Sequence, residues 1–171
     1  MEELQLKETD RKVLVAARNR LEKLKAEDPN EMYSAVAIEL EDGTMITGKG
    51  SATMCASASA ILNAIKYLAG IDDEVHLIAQ EIAEPIIALK TINFESKNTT
   101  LNCEEVLIAL SICAVTDERA KRAIDKLSKL KDCQAHSTSI LGKTDDQLMR
   151  KLGIEITCDP VFPTENLYYN D

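Results

Sequence analysis

Asp42-Gly43 constrains this chain more than any other pair of residues, because it separates two runs that favour extended backbone, residues 34–40 and 44–47. An Asp-Gly step supplies the positive backbone torsion that closes a tight hairpin. The flanking runs, with Val36, Ile38 and Leu40 before the turn and Thr44, Ile46 and Thr47 after it, supply the strands. A hairpin alone is marginal in water, so the rest of the sequence must provide further strands and a covering layer of helices.

The covering helices are visible as spacing. Residues 10–26 set Val13, Leu14, Ala17, Leu21 and Leu24 at intervals of three and four, an amphipathic helix with Thr9 as its cap and Asp28-Pro29-Asn30 at its end. Residues 52–69 begin with Ala, Ser and Cys and continue with Ile61, Leu62, Ile65 and Leu68 before Gly70. The small residues let this helix lie close against a sheet. Residues 74–79 read as a short buried strand in which His76 is satisfied by hydrogen bonds, and residues 80–94 as a helix with Pro85 near its first turn. Asn102 and Glu105 have the spacing of a capping box, opening an almost wholly apolar helix to Val115 that belongs deep in a core. Thr116 is placed to cap a surface helix through Leu130, residues 133–141 form a strand, Thr144 and Gln147 start a short helix ended by Gly153, and residues 154–157 form the last strand. This order predicts an α/β fold, a three-layer α/β/α sandwich with a mixed sheet. Residues 1–160 are expected to form one domain and 161–171 a loose C-terminal extension.

Charge and cysteine usage narrow the function classes. A net charge of −9 repels a phosphate backbone, and the few aromatics are not interleaved with basic residues, so no nucleic-acid partner is expected. The longest apolar run, residues 106–115, is interrupted by Ser111 and too short to cross a bilayer, which predicts no membrane span. Five scattered cysteines without a C-x-x-C pair point to reduced thiols, and with no signal pattern at the N-terminus the expected location is the cytoplasm.

Two segments resemble chemical motifs. Residues 43–50 nearly spell a phosphate loop, but Gly50 stands where a hydroxyl should hold magnesium and the spacer residues alternate like a strand. What survives is a small-anion site made by Lys49 and the backbone amides of Gly50 and Ser51. The second is Cys133-x-x-His136, followed by Ser137 and Thr138, where thiol and imidazole could act as a nucleophile pair. Strand alternation places Cys133 and His136 on opposite faces, which makes Cys158 on the last strand the other candidate partner of His136. There is no H-E-x-x-H, and neither a metal site nor a cofactor is expected.

Residues 42–50, 69–74, 105–112, Ala135-His136-Ser137-Thr138 and 151–160, taken in order, resemble the C-terminal region of a bacterial family, domain of unknown function 1846. Members of that family are longer and carry an N-terminal α/β portion with a nucleotide-binding-like glycine loop. The resemblance implies a cytidine-deaminase-like fold for the C-terminal region. It does not bring the zinc-deaminase motif, which needs a His or Cys followed by Ala-Glu and then Pro-Cys-x-x-Cys. Cys55-Ala56-Ser57 keeps the thiol without the glutamate, and Cys103 stands without the proline and the second cysteine. The expected function is therefore a binding or assembly module, working as a homo-oligomer or beside a separately encoded nucleotide-binding partner. An alternative is a small-molecule enzyme using His136 with Cys158 or Cys133, and another is that the chain is part of a longer protein.

Overall fold

The computed structural model describes residues 11–162. The hairpin forms where the Asp-Gly step places it: β1 (Ala35–Glu39) pairs antiparallel with β2 (Met45–Lys49), in the register Ala35↔Lys49 to Glu39↔Met45. Gly43 takes φ +85°, and the Asp42 carboxylate accepts the Thr44 amide at 2.9 Å, pinning the turn. β3 (Gln134–Ser137) pairs antiparallel with the other edge of β1, and β4 (Glu155–Cys158) parallel with β3. The sheet is four-stranded and mixed, in the order β2-β1-β3-β4.

Strand alternation gives each face its own cover. Ala37 packs against Val13 and Ala17 of α1 (Lys12–Glu27), whereas Val36 and Ile38 enter the main core with α2 (Ala56–Leu68). On that second face also lie α4 (Cys103–Cys113), α5 (Glu118–Ile124) and α6 (Lys143–Lys151), the last being the crossover between the parallel strands and burying Met149 completely. The architecture is the expected three-layer α/β sandwich. Its tightest contact explains the small residues of α2. A Cβ on Gly48 of β2 would lie 2.2 Å from the Ala60 backbone nitrogen, so strand and helix backbones touch with no side chain between them.

Several local expectations change. α1 begins at Lys12 with Arg11 as its N-terminal flank, and Thr9 lies outside the described residues. Residues 74–79 are not a strand, since no strand of the sheet runs beside them; Leu77 is buried, but His76 is exposed. α3 (Gln80–Ala88) continues as a wider π-helical turn, Leu89–Asn93. Asp117 rather than Thr116 caps α5, which stops at Ile124 and is followed by a 3₁₀ turn, Leu127–Leu130. β3 ends at Ser137, whose hydroxyl reaches forward to donate to the Ser139 carbonyl at 2.7 Å. The capping box of α4 is present in full, with Asn102 accepting the Glu105 amide and Glu105 accepting the Asn102 amide. Among the described residues no helix is long and apolar enough to cross a membrane. At the C-terminal end the Val161 carbonyl accepts the Ile140 amide at 2.7 Å, and the rest of the expected extension, 163–171, lies outside the described residues.

Candidate functional site

Lys49, Gly50 and Ser51 do not make an anion cradle. The Gly50 amide donates to the Ser34 carbonyl and the Ser51 amide to the Met54 carbonyl, so both donors are already used. A turn over residues 51–54 also separates them from the start of α2.

His136 meets neither thiol proposed for it. It pairs across β3 and β4 with Thr157, and its Nδ1 lies 2.7 Å from Thr157 Oγ1, on the α1 face of the sheet. Cys158 pairs with Ser137, one residue on, and so points to the opposite face, near Asp146 and Arg150 of α6. Cys133 lies in the core on that same opposite side with Ala135. Burial pushes the Cys133 thiol up, away from the thiolate a nucleophile needs, and partial desolvation by the packed chain around it raises Cys158 too, although Cys158 is itself exposed. His136 Nε2 instead lies 3.1 Å from Asp159 Oδ1, without full hydrogen-bond alignment, and Arg18 grips the same carboxylate through Nη2 at 2.7 Å and Nε at 3.2 Å. Arg11 donates to Thr157 Oγ1 at 2.7 Å. Burial lowers the His136 pKa against the opposing pull of Asp159, which favours the uncharged ring at neutral pH. The Arg18 hydrogen bonds hold Asp159 below the usual carboxylate range. At 2% exposure, with Thr157 and Asp159 beside its two nitrogens, His136 ties β3 to the end of β4, and Arg18 carries that corner on to α1 through Asp159.

The cysteines that do converge are Cys55 and Cys103. Cys55 is the flanking residue at the start of α2, Cys103 opens α4 behind its capping box, and Asp145 lies in the first turn of α6. The three helices bring these N-terminal ends together, and the two sulfurs and a carboxylate oxygen all lie within 4.8 Å of one another. Asp145 Oδ2 accepts the Cys55 thiol at 3.2 Å and the Ser57 hydroxyl at 2.9 Å, while Oδ1 accepts the Cys103 amide at 2.9 Å. Asp145 is 8% exposed and Cys103 fully buried. The Cys103 thiol is pushed far up by its contact with Cys55, by burial and by the neighbouring Asp145 charge. Sequence reasoning singled out Cys55 and Cys103 but missed Asp145, whose only signal is its place in the first turn of a predicted helix. These residues could hold a metal ion through two sulfurs and one oxygen; Ser57 stands where a deaminase motif has its proton-carrying glutamate.

A third feature is a surface. The almost wholly apolar α4 is only partly in the core: Ile108, Ile112 and the following Val115 are 52%, 48% and 83% exposed along one side, while Val106, Ala109 and Leu110 are buried. α3, which packs against α4, buries no residue completely, and Leu89, Ile92 and Phe94 beyond it are exposed. Lys90 locks this region to α4, donating to the Glu105 carboxylate at 2.8 Å and to the Thr100 carbonyl.

Comparison with known proteins supplies the setting. Residues 9–168 match the family model described as "Domain of unknown function DUF1846, C-terminal". A "UPF0371 protein" of Clostridium tetani is 58% identical over 172 residues, and one from Clostridioides difficile is 57% identical over 171 residues. These alignments cover 100% and 99% of this chain but 34% of each relative. The chain thus spans about a third of the length of the curated relatives it matches, corresponding to their C-terminal part. By its fold, its ordered motifs and these matches, the chain belongs to the DUF1846 family and corresponds to its C-terminal domain.

Proposed function

We propose that this chain is a binding and assembly module whose exposed α4 side receives the part of the longer polypeptide that lies outside it in its relatives. The observation that carries this reading is Ile108 and Ile112 on α4 and Val115 just beyond its end, three aliphatic residues open to water on a side where Glu104 and Ser111 are the polar neighbours. A surface helix normally turns charged residues outward. Ile108 and Ile112 are already about half covered, so completing their burial contributes about 1 kcal/mol each. About two thirds of each relative's length is available as the covering partner. The family resemblance makes that partner the nucleotide-binding-like portion, whether it is joined in one polypeptide or encoded separately.

Hydrogen exchange and light scattering test the proposal, with the remaining two thirds of the Clostridium tetani relative added in trans. The expected result is a complex in which α4 amides exchange more slowly and which Ile112→Glu weakens. No complex and unchanged α4 exchange would refute it. A homodimer closed through α4 would keep the assembly role and make a second copy the occupant.

A further inference from the structure

We infer that Cys55, Cys103 and Asp145 form a binding site for one thiophilic divalent ion, zinc by the chemistry of the donors, with one coordination position left open. This goes beyond the assembly role and rests on different residues. Two cysteine sulfurs and a carboxylate oxygen are a zinc-type donor set, and sulfur selects against magnesium and calcium. Tetrahedral zinc needs its sulfur and oxygen donors about 3.5–3.8 Å apart. The present limit of 4.8 Å leaves about 1 Å to close, within reach of side-chain torsions.

Charge supplies the second argument. The hydrogen-bond partners of Asp145 among the described residues are a thiol, a hydroxyl and an amide, and no Lys, Arg or His forms an ion pair with it. A buried carboxylate is normally paired with a cation or held by a metal. Zinc with two thiolates and one carboxylate carries a net charge of −1, and the positive ends of α2, α4 and α6 face that anion. Binding balances as two thiols and one carboxylate plus Zn²⁺ giving the complex and two protons released to water. Ser57, 2.9 Å from Asp145 Oδ2, steadies the carboxylate by hydrogen bonding.

Reduced, metal-free protein is titrated with zinc in excess magnesium, and separately with cobalt(II) followed by absorption. The account expects one zinc per chain and thiolate-to-cobalt charge transfer with tetrahedral bands. Cys55→Ser and Cys103→Ser should each weaken binding about a hundredfold and Asp145→Asn about tenfold. Cys158→Ser, on the far strand, should change nothing. A wild-type cobalt spectrum without thiolate bands, undiminished binding in the Cys55→Ser/Cys103→Ser double variant, or an equal loss in Cys158→Ser would each overturn the site. Should the cysteine variants fail to fold, the wild-type spectrum and Asp145→Asn decide alone.

Discussion

Asp145 and Asp159 are two carboxylates tucked against the same sheet-and-helix body, and they are satisfied in opposite ways. Asp159 is gripped by the Arg18 guanidinium and faces the neutral His136 ring, so its negative charge is answered by a side chain of the protein itself. Among the described residues, Asp145 accepts hydrogen bonds from a thiol, a hydroxyl and a backbone amide and makes no ion pair. The first corner is electrostatically complete and reads as a brace between α1 and the outer strands. The second leaves room for a positive charge, and the groups beside it are the ones that hold metals.

The contrast can be broken most severely at Asp145. Asp145→Ala leaves the Cys103 amide and the Ser57 hydroxyl buried without acceptors, and thermal unfolding should show a loss of about 3 kcal/mol. A loss below 1 kcal/mol would mean that these donors find water or other partners. Zinc at a hundred times its dissociation constant should add about 2.7 kcal/mol to the wild type and much less to Asp145→Asn. Arg18→Ala should cost about 1 kcal/mol, because Asp159 loses a paired grip that is partly open to water.

The smallest effect is in pH. The His136 pKa is lowered in the folded state, so below the ordinary value of 6.5 the unfolded chain takes up a proton that the native ring resists. Stability should therefore fall as pH drops below 6.5, until the folded ring also protonates. Asp159 acts later: its pKa is depressed from 3.8, so its contribution is intact above that value and lost as pH falls through the lowered one. His136→Gln should flatten the first decline and leave the second, as urea unfolding at stepped pH would report.

Much of the fold was legible because it is written in local chemistry. The Asp42-Gly43 turn, the Asn102–Glu105 capping box and the small residues facing Gly48 are each decided within a few positions or by one close approach. Residues 74–79 misled because an apolar run needs a neighbouring ladder to become a strand, and only the sheet topology reveals that none is beside it. The depth of α4 misled for a related reason. Apolar composition places a helix in a core, but it does not say which of its residues face inward, and Ile108 and Ile112 are about half exposed. The thiol–carboxylate cluster had no local spelling at all. Asp145 lies 90 residues from Cys55 and 42 from Cys103, and only the convergence of three helix starts joins them.

The central claim is that the corner held by Asp145 is completed by a metal ion. Proton release on adding zinc to weakly buffered, reduced protein at neutral pH tests it most directly, because both sulfurs must lose their protons to bind. The account predicts about two protons per zinc with saturation at one equivalent, falling to about one in Cys55→Ser. Zinc uptake that releases no protons, or that does not saturate at one equivalent, would contradict it.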